Sequence, residues 1–275
     1  MAVSISSNVG SLQAQTGILA NHKETQSALA KLSSGKRVNS AQDDATALAI
    51  AASLTAQQTS VNQAIRNVGD AVDLSTIADL VLHNTTDILA RIRELTIQAG
   101  SAALDTTQRG DVQNEIAALQ SELDRLANST EFNGTPLLSA RAAQTYQVGS
   151  GNVPANDRLA VTTADATSAG LGLGQLSVAS QASAASSLDA IDTAQNAALS
   201  TRTTLGAQAR RAALAEWLDR ESSVNLTSAR GRLIDTDVAT ESSHLSSSLI
   251  LGNATASVLV QANQRPQAAL RLLGG

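Results

Sequence analysis

Apolar residues recur at intervals of three and four along most of the chain, and the breaks between these runs mark out the elements. Ile5, Val9, Leu12, Leu19, Leu29 and Leu32 form a heptad-like stripe over residues 2–32, with Thr16 and Gln26 filling intervening steps. Its flanks are Ser, Asn and Gln, so the helix is marginal alone and calls for a partner. Ser33-Ser34-Gly35 breaks the run, with Gly35 suited to the left-handed conformation past a helix end. Ser40, followed three residues later by Asp43, predicts an N-cap with Asp43 and Asp44 in the first turn, where the helix dipole favours acid.

Residues 44–100 carry the longest pattern. Ala47, Ile50, Leu54, Val61, Ile65, Val68 and Val72 make one stripe; Leu74, Ala78, Val81, Ile88, Ile92, Leu95 and Ala99 continue it after a small phase shift. A continuous helix of this length extends ~85 Å and suits a bundle or coiled coil. A clean amphipathic helix follows over 107–128, through Val112, Ile116, Leu119, Leu123 and Leu126, and residues 128–134 predict a turn. The middle changes character. Residues 146–148 and 159–161 predict two short strands around a loop, and Gly170-Leu-Gly-Leu-Gly174 predicts a flexible turn. Helical spacing resumes from Ser183 to about Arg230 through Leu188, Ile191, Ala198, Leu205, Leu214, Trp217 and Leu218. After a joint at Gly231 and Asp235-Thr-Asp237, a last stripe runs through Ile234, Val238, Leu245, Leu249, Gly252, Ala256 and Leu259, with Pro266 as a stop.

The outline is nearly palindromic, and two weak terminal stripes are most simply buried against each other. The fold class expected is mainly α: an elongated coiled-coil or helical-rod bundle with a small β-hairpin region and paired termini. Residues 1–40 with 236–275 form one domain; 41–235 form a rod, with the β region at about 137–180.

Composition sharpens this. Hydrophobic residues make up 43% of the chain, yet it holds one Trp, one Tyr and one Phe. Compact enzymes wall their pockets with more aromatics, whereas small aliphatic residues suit helices lying close together. The net charge of −5 comes without a basic patch, which excludes nucleic acid as the main partner. The chain has no cysteine and therefore neither disulfides nor thiolate metal sites. No run reaches the ~18 apolar residues of a membrane span, and the N-terminus lacks the features of a signal peptide. The chain is accordingly expected either in the cytoplasm or exported without cleavage.

Candidate chemistry is sparse. His22, His83 and His244 are isolated, without a second ligand at metal spacing. Asp43-Asp44 and Asp235-x-Asp237 read as helix-start charges or partners for Lys36, Arg37 and Arg230. No HExxH, GxSxG or P-loop pattern occurs. Neither catalytic, cofactor nor metal residues are expected, and the chain does not read as an enzyme. Trp217 is read as an anchor between helices or a binding hot spot. Thr162, Thr163, Thr167 and Ser168 fall in an expected outward-facing segment and are candidates for O-linked sugars.

Several spaced motifs in order resemble bacterial flagellin over nearly the whole chain: LSSGKRVNSAQDDATALAIA at 32–51, RIRELTIQA at 91–99, VQNEIAALQSELDRLANSTEFNGTPLL at 112–138, LGAQ at 205–208, VNLTSAR at 224–230, DTD at 235–237 and SVLVQANQRPQAALRLL at 257–273. The resemblance implies a subunit that polymerises into the extracellular flagellar filament, with terminal helices lining the filament channel and without outer domains. It also implies export through the flagellar type III apparatus with an export chaperone. Further partners are other flagellins and the hook-associated junction and cap proteins. The assembly residues so implied are Leu12, Leu19, Leu32, Lys36, Arg37, Asp43, Asp44, Arg91, Glu94, Leu95, Glu115, Arg230, Asp235, Asp237, Leu245, Leu249 and Leu259. Arg91 and Glu115 match positions by which some flagellins contact a vertebrate innate immune receptor. Ala90 and Leu119 stand where those flagellins carry Gln and Arg, so strong activation is not expected. His244-Leu-Ser-Ser-Ser248 replaces a common Met-Ser pair, and the chain ends in Leu273-Gly-Gly275 where an Arg is common. Two alternatives stay open: a related protein joining filament to hook, and a soluble helical adaptor.

Overall fold

The structure, a computed structural model, describes residues 7–273, and side chains as far as residue 267. Ile5 and the terminal Gly274-Gly275 lie outside the described residues. In order, the elements are α1 (Val9–Ser34), α2 (Ala41–Ala99), α3 (Thr106–Ser129), β1 (Glu131–Phe132), β2 (Thr135–Pro136), β3 (Ala143–Gln147), the one-turn α4 (Pro154–Asp157), β4 (Arg158–Thr162), α5 (Gln181–Ile234) and α6 (Val238–Leu273). The mainly helical fold with a small hairpin region is as expected. Two compact units are formed: residues up to Ala56 together with those from Asn225 onward, and Gln57–Val224.

The helices are organised by a strict alternation of three- and four-residue steps that does not follow the large apolar side chains. From Val61 onward a buried seam of α2 runs through Val61, Ala64, Val68, Ala71, Ser75, Ala78, Leu82, Thr85, Leu89, Ile92, Thr96 and Ala99, with Leu74 and Leu95 buried beside it. The heptad spacing is unbroken, and the expected phase shift near Val72 is a widening of the buried face that takes in Leu74 and Leu95. Ser75 and Thr96 occupy seam positions without penalty because each hydroxyl donates to the carbonyl four residues earlier, Ala71 at 2.8 Å and Ile92 at 2.7 Å. In α5 the same rule picks out the buried Ala184, Ser187, Ile191, Ala194, Ala198, Leu205 and Ala212. Ion pairs Arg93–Asp192 (2.9 Å) and Arg202–Asp79 (2.8 Å) fix the antiparallel register of α2 and α5 within the second unit. Further along the α5 seam sits Asp219, whose carboxyl is pushed up from the usual range by desolvation and then by the nearby charge of Asp157.

Two apolar clusters fill the second unit. One joins Leu74, Leu82, Leu137, Leu138, Leu159, Val161 and Leu205; the other joins Leu89, Ile92, Ile116, Leu123, Leu173, Val178 and Ile191. α3 enters through an Asp105–Gln108 capping box (2.8 and 3.0 Å) and buries Val112, Ile116, Leu123 and Ala127. The expected strands pair antiparallel as β3 and β4, with Tyr146 opposite Leu159. A smaller hairpin, β1–β2, replaces the predicted turn at 128–134. Asn133 (φ 50°) and Gly134 (φ 75°) both take positive φ, the type I′ geometry that Asn-Gly favours between strands.

Two expectations for the middle of the chain are corrected. Gly170–Gly174 is a packed turn, with Leu173 fully buried and the Gln120 amide donating to its carbonyl at 2.6 Å. Alternate residues point inward, so the glycines make room for Leu171 and Leu173. The expected outward-facing segment is also largely engaged. Thr163 is 3% exposed, the Thr167 hydroxyl donates to Asp165 (2.6 Å), and the Ser168 hydroxyl and amide both donate to Asp124 (2.9 and 2.7 Å). Thr162 is half-buried, and its amide donates to Gln208 at 3.1 Å.

In the first unit α1 and α6 pair antiparallel. Among the described helix pairs, only this one repeatedly brings Cα atoms within 8 Å. Its seam explains the closeness: Ser11, Ala14, Ile18, Asn21, Thr25, Ala28 and Leu32 on α1 meet Glu241, Leu245, Ser248, Gly252, Thr255, Leu259, Ala262 and Pro266 on α6. Most are small or polar, with Ile18, Leu32, Leu245 and Leu259 spaced among them. A Cβ at Gly252 would lie 2.8 Å from the Asn21 amide nitrogen, so any larger residue there displaces the Asn21 side chain. The Asn21 amide donates to the Ser248 carbonyl (2.8 Å), and Lys31 pairs with Glu241 at 3.6 Å.

Pro266 does not end α6, which runs on to Leu273. Proline lacks the N–H that would bond the Ala262 carbonyl. The Asn8 side chain supplies that donor across the pair at 2.9 Å, while its oxygen caps α1 by accepting from the Ser11 amide at 3.1 Å.

Candidate assembly surface

With the seam built mostly from small and polar residues, many of the large apolar side chains of the first unit face outward. Val9 is 56% exposed, Leu12 59% and Leu19 70%, and Leu29 is exposed as well. On α6, Leu249, Ile250, Leu251, Val258 and Val260 are all more than half exposed. Between Glu241 and Arg265 α6 carries no Asp, Glu, Lys or Arg. Val238–Gln267 is long and apolar enough to cross a membrane by length and composition, contrary to the expectation from single apolar runs, and none of its most apolar window is buried within the chain.

Magnitudes show the imbalance. Fully burying a large aliphatic side chain contributes about 1.5–3 kcal/mol, against about 0.8 kcal/mol per methylene for the small ones in the seam. The pair thus holds most of its potential burial on the side it does not use. An outward apolar surface of this kind marks an interaction site.

The joint that bounds this pair is a two-stranded connection. Lys36 and Asp235 form an isolated antiparallel bridge, the Arg37 amide donates to the Ile234 carbonyl (2.6 Å), and the Thr236 amide donates to the Gly35 carbonyl (3.0 Å). Gly35 takes φ 69°, the left-handed conformation expected of it. The Arg37 guanidinium donates to the Leu233 carbonyl (2.7 Å), and Val38 is 2% exposed beneath the joint. The long helix begins after Asp44, not at the predicted Ser40 cap. Asp44 has extended backbone (φ −163°), and its carboxylate accepts from the Ala47 amide at 2.8 Å. Asp43 turns back instead. Bonds from the Ser40 amide, the Asn39 amide and the Ser40 hydroxyl hold its carboxyl below the usual range. Asp237 opens α6 as Asp44 opens the long helix, by accepting from residues that follow it, and is held low by the Thr240 hydroxyl and then by the Thr240 and Ala239 amides. Both carboxylates serve the joint as caps.

The remaining expected assembly residues divide clearly. Leu12, Leu19 and Leu249 are exposed, whereas Leu32, Leu245 and Leu259 are half-buried in the α1–α6 seam. Lys36, Arg37, Asp43, Asp235 and Asp237 are exposed on the joint, and Asp44 and Arg230 are half-buried. In the second unit Arg91 pairs with Glu94 (3.1 Å) and Glu115 (2.9 Å), all three exposed; the hydrogen bond that Arg91 donates to Glu115 is the main cause raising the guanidinium's pKa. Leu95 is corrected: it is 2% exposed and belongs to the core, because the helix turns it toward α3 and α5. The outward Ile250, Leu251, Val258 and Val260 were missed. The signal available for them was the absence of charge over more than twenty residues of a helix.

A chain that pairs its two ends mostly through small and polar residues and leaves many of its large ones outward is completed by other chains; it is built as an assembly subunit. Comparison with known proteins gives the family. The model of the bacterial flagellin N-terminal helical region matches residues 5–143, and that of the C-terminal helical region matches residues 188–273. The chain is 34% identical to the flagellar filament 30.7 kDa core protein of Treponema maltophilum, over 98% of this chain and 99% of that protein. It is also 34% identical to flagellin of Bacillus subtilis (strain 168), over the same shares. A solved structure described as a flagellar hook-associated protein from Vibrio parahaemolyticus matches with a TM-score of 0.59, covering 70% of this chain and 100% of that one; at 15% identity the likeness is of fold alone. The chain belongs to the bacterial flagellin family, and it is a structural subunit that self-polymerises into the flagellar filament.

Proposed function

We propose that polymerisation buries the outward apolar side of the α1–α6 pair of each copy against neighbouring copies, so that this pair gains its stability in the filament and not in the monomer. The observation that carries this reading is the imbalance in the first unit: a seam mostly of Ser, Ala, Asn, Thr and Gly, with Ile18, Leu32, Leu245 and Leu259 half-buried in it, and Val9, Leu12, Leu19, Leu249, Ile250 and Leu251 outside. Contacts between copies are heterologous and do not close, which generates a helical polymer. The membrane-like composition of α6 then serves burial among helices of other copies. Residues 1–40 with 236–275 act as the inner domain and 41–235 as the rod, linked by the joint at Lys36 and Asp235.

Relatives of this family form an extracellular filament, and export of this chain through the flagellar type III apparatus, with a chaperone and without cleavage, belongs to the same proposal. So do contacts with other flagellins and with junction and cap proteins. Arg91 is already held by Glu94 and Glu115, which supports weak engagement of an innate immune receptor.

Substituting Leu12→Asp together with Leu19→Asp tests the reading. Both side chains are more than half exposed in the monomer, so its helicity is expected to stay unchanged. Placing an unpaired carboxylate in a buried contact costs several kcal/mol, and the critical concentration for filament growth is expected to rise by about 100-fold or more. Filaments that grow from wild-type seeds at the wild-type critical concentration would overturn it.

A further inference from the structure

The second unit carries two outward stripes that its own core does not use. On α5, Arg210, Leu214, Trp217, Glu221 and Val224 follow steps of four, three, four and three, with Arg211 and Leu218 alongside. They lie on the side of the helix away from the seam residues Leu205 and Ala212. Leu214 is 59% exposed, Trp217 61%, Leu218 53% and Val224 63%, and both arginines are exposed. On α2, Asp70, Asp73, Ile77, Leu80, Asn84 and Asp87 follow steps of three and four. Leu80 is 61% exposed, Ile77 is 37% exposed, and the three aspartates are exposed. Among the described residues, none of Arg210, Arg211, Asp70 and Asp73 joins an ion pair within the chain, whereas the neighbouring Arg202 and Asp79 pair with each other.

We propose that these stripes are the two halves of one contact between copies: the Arg210–Arg211 and Leu214–Trp217 surface of α5 docks on the Asp70–Asp73 and Ile77–Leu80 surface of α2 in the next copy. The inference rests on the reading that copies polymerise. Three features select a second copy as the occupant. The stripes share a heptad spacing, so the ridges of one helix can pack into the grooves of the other. Each places an exposed apolar pair beside unpaired charges, and the charges are opposite: two arginines on α5, two aspartates on α2. The two surfaces lie on different helices of one unit, so each copy offers one of each, and the contact is heterologous, the kind from which an open helical polymer is built. The apolar pairs supply the burial, and the charges set register and exclude like faces. Trp217 becomes the aromatic anchor of this contact, not an anchor between the chain's own helices.

Charge exchange tests the pairing in the full-length chain. Arg210→Glu with Arg211→Glu gives a copy with two acidic stripes, and Asp70→Lys with Asp73→Lys gives one with two basic stripes. Each variant alone is expected to raise the critical concentration for seeded growth by about tenfold or more, as like charges are brought together. The four substitutions combined, and an equimolar mixture of the two variants, are expected to recover growth, because every junction again joins opposite charges. The single Trp gives an independent readout, since its emission is expected to move to shorter wavelength on polymerisation of the wild-type chain. Reversed variants that grow like wild type, a combined variant that folds by circular dichroism yet grows no better than either parent, or unchanged Trp emission would each overturn the pairing while the wild-type chain still polymerised. A wild-type chain that formed no filaments would overturn the assembly reading and this contact with it.

Discussion

Removing residues 1–32, or residues 237–275, is expected to abolish filament formation while the second unit stays folded. The reason lies in where each core is drawn from. Every member of the two apolar clusters, from Val68 to Ala212, lies within Gln57–Val224. Among the described residues the first unit has no comparable store. Its helix pair is held by Ala14, Ala28, Gly252, the half-buried Ile18, Leu32, Leu245 and Leu259, two asparagine side chains and the partly buried Lys31–Glu241 pair, so neither helix retains a partner once the other is gone. Each large outward side chain deprived of a neighbouring copy forfeits about 1.5–3 kcal/mol, and losing several together exceeds what a subunit contact can absorb. Thermal unfolding followed by circular dichroism should still show a cooperative transition for the truncated chain. Electron microscopy of the seeded truncated protein should show no filaments; smooth filaments from either truncation would contradict the account.

Leu173→Ala is expected to destabilise the second unit by about 2–5 kcal/mol, the usual cost of emptying a buried leucine site. Leu173 is fully buried against Ile116, Leu123 and Ile191, and the Gln120 bond to its carbonyl keeps the segment from collapsing into the cavity. Urea denaturation measures this directly as a lowered midpoint with unchanged slope. A loss within about 0.5 kcal/mol, the range of exposed loop substitutions, would mean that residues 170–174 are the mobile turn their glycines suggest.

That segment illustrates what was legible in the chain and what was not. Helices, joints and the β3–β4 hairpin follow from spacing and breakers, because those signals are local. The seams do not follow from the large apolar side chains. In α1 the eye goes to Val9, Leu12, Leu19 and Leu29, whereas the contact with α6 is made at Ser11, Ala14, Ile18, Asn21, Thr25, Ala28 and Leu32. In an ordinary globular helix the large residues mark the inner face; in a subunit that is finished by assembly, part of the apolar pattern belongs to the next copy. In α2 the difficulty is different: Ser75, Thr85 and Thr96 hold seam positions beside the buried Leu74 and Leu95, so the buried face is wider than apolarity alone marks. Of the expected assembly residues, Leu12, Leu19 and Leu249 are exposed and apolar, as a contact between copies requires. Leu95 was misread, since its place on the inner face depends on α3 and α5. Asn133-Gly134 carried its own hairpin signal, hidden by strands only two residues long.

The division between an inner seam and an outer assembly face is tested most directly by hydrogen exchange on the monomer and on seeded filaments of the same protein. Amides of α1 and α6 are expected to exchange rapidly in the monomer, where a small-residue seam leaves the pair marginal, and to become strongly protected in the filament. Amides of α2 and α3 around Ile92 and Ile116 are expected to be protected in both. Equal protection of α1 and α6 before and after polymerisation would contradict the claim that the termini gain their stability from neighbouring copies.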